Sequence, residues 1–501
     1  MFFTRWPFSM TALEHGAFAF SGLLVYVLVT RIGQHRRQPS AAVAWVLIIA
    51  MFPYLGLPLF LLFGTRKFAR PGVLVRAPRP ASSLPVATSA GAVGTAGAAD
   101  RPAVFVKPAA PVWATQLLAS FELPPPAANF SIVFHADGAE SWQALLALLR
   151  GARNSIDLST FILGRDEVGK AIVAELAQAA RRGVRVRLLL DAIGSLRASR
   201  SQLRTLRAAG AEVQWFMPLL HNPLRGRTNM RNHRKLTLAD GKAAWSGGRN
   251  QAVEYFIGAP GRPAWEDLSF IVQGPLAAQA QALFEHDWRV ASGRARQLPV
   301  PLDAVEPGDD PHLDPHVDPH VDAGAMAQLI PSGPDHADDT VYALMLSAAY
   351  NAHTRILAVT PYFVPDDALL SAWCLACRRG VQLTLLIPER SNHPLADLAR
   401  ERSLRQLIQA GGKVLLYPAM MHAKAVVVDD QLALCGTVNL DERSLFLNFE
   451  LMVAFYGTAE IDWLARWVQA RSRAARPHDA RLPNWWRDLL EGIVRAVGFQ
   501  L

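Results

Sequence analysis

The sequence predicts an α/β protein: two similar αβ sandwich halves related by pseudo-two-fold symmetry, preceded by an N-terminal transmembrane helical hairpin. Three observations carry this reading. A His-x-Lys pattern with fixed downstream residues occurs twice. Around each copy, apolar runs of strand length alternate with amphipathic runs of helix length. Ahead of both copies lie two long apolar segments.

The N-terminal segments come first. Gly16 to Thr30 is almost wholly apolar, and Ala41 to Phe63 is a second run of membrane-spanning length. The second follows the first at once with no small-residue cleavage site between them, which favours an uncleaved anchor over a signal peptide. Pro53, Gly56 and Pro58 predict a kink or a re-entrant path in the second run. Arg5, Arg66, Lys67, Arg70, Arg76 and Arg79 flank the pair and outnumber Arg31, Arg36 and Arg37 inside it. The positive-inside rule then places the following body in the cytoplasm.

The boundaries follow composition. Residues 1–70 are read as the membrane-anchoring hairpin, and 71–110, rich in Ala, Pro, Gly and Ser, as a flexible linker. Residues 111–298 form the first half. Residues 299–324 form a second linker, where Asp310-Pro-His, Asp314-Pro-His and Asp318-Pro-His repeat in tandem; proline at every fourth place prevents a helix. Residues 325–501 form the second half, ending in an amphipathic segment with Trp485, Trp486, Leu489, Leu490, Ile493 and Val497 at helical spacing. That segment suits either a membrane interface or packing on the protein's own body.

Within the halves the same order recurs. A strand at Ile156–Phe161, a helix at Glu167–Arg181 and a strand ending at Asp191 are matched by Ile356–Thr360, Ala368–Arg378 and a strand ending at Pro388. Each helix stops at a glycine, Gly183 or Gly380. The two active halves are expected to meet at the sheet edges across the pseudo-two-fold interface.

The motif itself reads His233-x-Lys235-x4-Asp240, then Gly247-Gly248-x-Asn250. Its second copy reads His422-x-Lys424-x4-Asp429, then Gly436-Thr437-x-Asn439. In an extended strand, side chains two apart share a face, so each His and Lys point together. Imidazole can attack phosphorus or carry a proton near neutral pH. Ammonium and amide groups can hold the non-bridging oxygens as charge gathers on them. One half supplies one histidine; two halves supply an attacking group and a proton donor. The candidate catalytic residues are therefore His233, Lys235, Asp240, His422, Lys424 and Asp429, with Asn250, Asn439, Gly248 and Thr437 as candidate phosphate binders. Asp240 and Asp429 end apolar strands before turns, so a structural role is open for both. Aligning Glu450-Leu-Met-Val with Asp267-Leu-Ser-Phe puts a carboxylate at the same place after each motif. Glu450 is expected to orient His422, and Asp267 to orient His233.

These motifs resemble the phospholipase D superfamily, and the whole chain resembles bacterial cardiolipin synthases. The stretches Thr360-Pro-Tyr-Phe-Val-Pro-Asp-Asp, Gly436 through Glu450, Ala44-Trp45 and Pro53-Tyr-Leu-Gly56 carry the narrower likeness. The resemblance implies two phospholipase D-like halves and no cofactor or metal. It implies that two phosphatidylglycerol molecules give cardiolipin and glycerol through a phosphatidyl-histidine. Gly247-Gly248 stands where many relatives have Gly-Ser. Hydrolysis of phospholipid by the same residues is the alternative reading. A CDP-activated route is disfavoured, because Trp245 follows Asp240-Gly-Lys-Ala-Ala where that route's motif needs arginine.

Charge and composition narrow the partners. A hydrophobic content of 51% and a net charge of +9 suit a basic protein that meets anionic lipid at a bilayer. Charge alone also permits a nucleic-acid phosphodiesterase. The apolar hairpin and the lack of a recognised nucleic-acid-binding module argue against nucleic acid. Three cysteines, Cys374, Cys377 and Cys435, are too few for a disulfide framework. Oligomeric state is left open by the sequence.

Overall fold

The computed structural model describes residues 12–32, 39–64, 110–218, 229–259, 261–293, 325–336, 338–479 and 481–496. Most of the expected 71–110 linker and the Asp-Pro-His repeats lie outside the described residues.

The N-terminal segments are helical: α1 (Ala12–Ile32), α2 (Pro39–Met51) and α3 (Pro53–Phe63). The second apolar run does break, at Phe52, where Pro53 begins a new helix. Tyr26, Trp45, Ile49 and Phe60 form a small core between the three helices. Among the described residues, no helix is long and apolar enough to cross a membrane.

The body follows as α4 (Val112–Ala119), β1 (Ala127–Asn129), β2 (Ser131–His135), α5 (Gly138–Gly151), β3 (Ser155–Thr160), α6 (Glu167–Arg181), β4 (Arg185–Asp191), α7 (Arg200–Ala208), β5 (Glu212–Phe216), β6 (Leu236–Ala239), β7 (Ala243–Gly247), α8 (Val253–Phe256), β8 (Ser269–Gln273) and α9 (Pro275–Ala291). The second half runs β9 (Ala325–Ser332), α10 (Thr340–Asn351), β10 (Arg355–Val359), β11 (Phe363–Val364), α11 (Asp367–Arg378), β12 (Gln382–Pro388), α12 (Pro394–Gln409), β13 (Lys413–Tyr417), β14 (Ala425–Val428), β15 (Leu432–Gly436), β16 (Leu440–Asp441), α13 (Glu442–Phe446), β17 (Glu450–Phe455), α14 (Thr458–Arg473), β18 (Arg476–Pro477) and α15 (Trp485–Ala496).

The sheets repeat one topology. The first is ordered β2-β8-β7-β6-β3-β4-β5; the second, β9-β17-β15-β14-β10-β12-β13, carries β1 and β18 on its two edges. Strand alternation builds the layers. Ile356 and Ala358 of β10 face the outer core with α10 and α11, while Leu357 and Val359 face a core shared with the first half. Helices α9 and α14 pack in that shared core through Phe284, Trp288, Leu464 and Trp467. The outer face of the first sheet is covered by α5, α6 and α7.

Two sequence expectations need correction here. Residues 112–129 do not belong to the first half: β1 pairs with β9, and α4 packs its Ala114 and Leu118 into the second half's core. The motif-bearing strands β6 and β14 are central, each flanked on both sides by hydrogen-bonded strands. The two motifs thus meet at the ends of central strands rather than at lateral edges.

Candidate active site

Both His-x-Lys segments enter a central strand just before it begins, and each lies along the backbone of the other half. His233 N–H donates to Phe449 O at 2.9 Å, and Phe449 N–H donates to Arg231 O. Across the pseudo-two-fold, His422 N–H donates to Glu266 O at 2.7 Å, and Glu266 N–H donates to Met420 O. Each histidine is therefore one residue out of register with a carboxylate from the opposite half.

This corrects the expected pairing. The His233 Nδ1 lies 2.9 and 3.0 Å from the two carboxylate oxygens of Glu450. The His422 Nδ1 lies 2.6 Å from Asp267 Oδ2. Each half's carboxylate orients the other half's histidine, because the backbone bridges that bring them together run between halves. Both carboxylates are fully buried.

Electrostatics follow from that burial. Burial drives the His233 imidazole down to about 4 against the pull of Glu450. Burial lowers His422 to about 3, with Lys424 adding to the effect. Burial works against the Asp267 carboxylate, but His422 and Lys424 outweigh it and hold the acid at about 2. Glu450 is likewise lowered: burial opposes, and His233 and Lys235 prevail. Both histidines are thus held neutral, donating Nδ1–H to an ionised carboxylate and leaving the Nε2 lone pair for chemistry. Burial also lowers Lys235 to about 7 and Lys424 to about 8.

The lysines are placed differently. Lys235 Nζ donates to the carbonyl of His233 at 2.7 Å. Lys424 Nζ bonds the His422 carbonyl and lies against the His422 ring, 2.8 Å from Nδ1 and 3.0 Å from Nε2. Among the described residues, no side chain hydrogen-bonds the His233 Nε2.

The remaining candidates divide. Asn250 accepts from Ile162 N–H at 3.3 Å and is buried beside the motif; Asn439 is buried with its Oδ1 unpaired among the described residues. Gly248 and Thr437 spend their N–H groups on Leu268 O and Leu451 O, so neither has a free backbone donor for phosphate. The Thr437 hydroxyl instead donates to Glu450 Oε2 at 2.5 Å. A Cβ on Gly248 would meet Asp267 Oδ1 at 2.1 Å, so the glycine makes room for the carboxylate.

Asp240 and Asp429 take the structural role. Asp240 accepts the N–H groups of Arg153, Asn154 and Ser155, and Asp429 those of His353, Thr354 and Arg355 plus the Thr354 hydroxyl. Each adopts a left-handed turn conformation, with φ of 54° and 50°; aspartate tolerates this well. At about 3.3 Å per residue, the intervening strand carries them well over 10 Å from the lysines.

Sequence reasoning missed several neighbours. Phe161 stands edge-on to His233 at 5.0 Å between ring centroids, and Tyr255 to His422 at the same distance. Arg234, the middle residue of the first motif, donates to Glu450 O at 2.9 Å and pairs with buried Asp287. It thereby fixes the backbone of the carboxylate that orients its neighbour His233. Only its place inside the motif marked it in the sequence. His286, Asp287 and Asp335 bring ligand-type atoms within 4.8 Å of one another. The Arg234 guanidinium already occupies both of those carboxylates.

Two matching sheets that each contribute a buried His–Lys pair, crossed on the other's carboxylate, define a phospholipase D-like protein. The solved phosphatidylserine synthase of Haemophilus influenzae shares the fold, with a TM-score of 0.58 at 15% identity over 78% of this chain and 100% of that one. The family model for the cardiolipin synthase PLD-like domain matches residues 145–288 and 345–471, and one for a phospholipase D-nuclease N-terminal region matches 22–64. A cardiolipin synthase A of Pseudomonas entomophila is 31% identical over 92% of this chain and 93% of its own. A cardiolipin synthase of Geobacillus kaustophilus is 30% identical over 87% and 83%. The chain belongs to the cardiolipin synthase family of the phospholipase D superfamily.

Proposed function

We propose that this protein is a membrane-associated phosphatidyltransferase that condenses two phosphatidylglycerol molecules to cardiolipin and glycerol. The observation that carries the reading is the crossed pair of buried, neutral histidines, each set by the other half's carboxylate beside a buried lysine. His233 attacks phosphorus through its open Nε2, and the bond from phosphorus to the departing glycerol oxygen breaks. His422, protonated on Nε2 when the anionic lipid phosphate binds, delivers that proton to the departing oxygen. Arrival of the lipid phosphate favours one charged ring in the dry site; that proton rests on His422, which leaves the His233 Nε2 free to attack. The headgroup hydroxyl of a second phosphatidylglycerol then loses its proton to His422 and attacks phosphorus, and the phosphorus–nitrogen bond breaks. Lys235, Lys424, Asn250 and Asn439 hold the non-bridging oxygens throughout.

The N-terminal helices are the anchor in this reading, with the body on the cytoplasmic side. The break at Phe52 suits a re-entrant path for α2 and α3. The test is product analysis by mass spectrometry on vesicles of phosphatidylglycerol with chelator present. Cardiolipin plus glycerol is the expected outcome. Phosphatidic acid plus glycerol would make the protein a hydrolase, and no product would sink both readings.

A further inference from the structure

The C-terminal helix α15 is built inside out. Its charged Glu491 is fully buried and pairs with Arg405 of α12 and with Arg487. Its Val494 packs on Val364 and Ala399. Trp485, Trp486, Leu489 and Leu490 are turned outward, 49–64% exposed, with the two indoles stacked at 3.6 Å. At about 100° per residue these four fall within an arc of about 140°. A helix on a water-facing surface shows the opposite arrangement.

Two neighbours say what covers this face. Helix α15 touches α2, whose Leu47, Ile48 and Met51 are also exposed, as is Phe52 at its end. The apolar face of α15 thus continues an apolar surface of the N-terminal helices. On its other side, Val364 belongs to β11, which pairs with β16 in the register Val364↔Asp441, two residues past Asn439. The same short helix therefore joins the N-terminal helices to the rim of the histidine site. Paired tryptophans suit the headgroup level of a bilayer, and the net charge of +9 suits an anionic one.

We infer that α15 is an in-plane docking helix that, beside the N-terminal helices, seats the catalytic rim on an anionic bilayer. The inference rests on the phosphatidyltransferase reading for its assay, though not for its binding measurement. The experiment uses the full chain and the combined variant Trp485→Ser, Trp486→Ser, Leu489→Ser, Leu490→Ser. Activity is measured on phosphatidylglycerol vesicles and on dispersed short-chain phosphatidylglycerol. We expect an apparent KM on vesicles raised at least tenfold, with kcat and turnover of dispersed lipid unchanged. Brominated phosphatidylglycerol should quench wild-type tryptophan fluorescence more than that of the double variant Trp485→Phe, Trp486→Phe, which keeps the helix aromatic and guards against misfolding. Unchanged vesicle kinetics, equal loss on both substrates, or equal quenching would overturn the docking role. A fall in oligomer size in detergent would overturn it in favour of a second copy of the chain. A chain that makes no cardiolipin but shows the quenching difference would sink the proposed reaction and leave the docking intact.

Discussion

The two halves share topology, motif and turn, yet their active ends differ. In the first half Gly248 leaves room for Asp267, whose carboxylate meets His422. In the second half Thr437 fills the equivalent place and bonds Glu450, whose carboxylate meets His233. Lys235 reaches a main-chain oxygen of its histidine, whereas Lys424 also reaches the ring. A duplicated frame thus supplies two equivalent positions, and a few substitutions make them unequal. One imidazole keeps an open Nε2 and the other keeps a cation against its ring, and that asymmetry underlies the proposal that His233 attacks while His422 carries the proton.

The largest test of that division is the histidines. His233→Ala and His422→Ala should each lower turnover by about 10⁴-fold, the scale seen when a nucleophile or its proton-transfer partner is removed. In samples quenched with denaturant at mildly alkaline pH, where the phosphorus–nitrogen bond survives, the phosphatidyl label that His422→Ala slowly accumulates should sit on His233, read by peptide mass spectrometry. Label on His422 in the His233→Ala protein would reverse the assignment. Next come the crossed carboxylates. Glu450→Gln and Asp267→Asn should each cost about 100-fold through loss of histidine orientation. In nitrogen NMR, Glu450→Gln should move the His233 ring signals and leave those of His422 in place. The reverse result would restore pairing within each half.

The lysines give a pH dependence. Lys235, lowered to about 7, is charged below that value and loses its cation as pH rises. The histidines, at about 4 and about 3, are neutral above those values. Loss of the Lys235 cation should therefore give kcat/KM a falling limb near pH 7. Lys235→Arg, which stays charged, should carry the falling limb to higher pH; a limb that does not move would assign it elsewhere. A smaller effect should come from the asymmetric pair. Thr437→Gly should change turnover by about tenfold or less, since it removes a single hydrogen bond to Glu450. The smallest effect on chemistry should come from Asp429→Ala. It leaves the part-buried N–H groups of His353, Thr354 and Arg355 without their acceptor and should lower stability by about 1–2 kcal/mol, seen in denaturant unfolding, with kcat of the folded enzyme unchanged.

Much of this was legible in the sequence. Period-two geometry put each lysine beside its histidine, and the stop glycines Gly183 and Gly380 marked the ends of α6 and α11. The repeated spacing announced two halves, and Pro53 announced the break after α2. These are local effects, set by backbone sterics and side-chain alternation within a few residues. Two features were not local. Residues 112–129 read as the start of the first half, but a three-residue strand has no preference of its own, and the edge of β9 claimed it. The carboxylates were placed correctly as partners of the histidines and assigned to the wrong ones. Sequence alignment pairs Glu450 with His422 and Asp267 with His233 by position in each repeat. The fold pairs them by the bridges His233–Phe449 and His422–Glu266, which run between halves. A chain can encode that it holds two histidines and two acids on matching strands. Which acid faces which ring is decided only when the two sheets pack, because the hydrogen bonds that settle it join residues roughly two hundred positions apart.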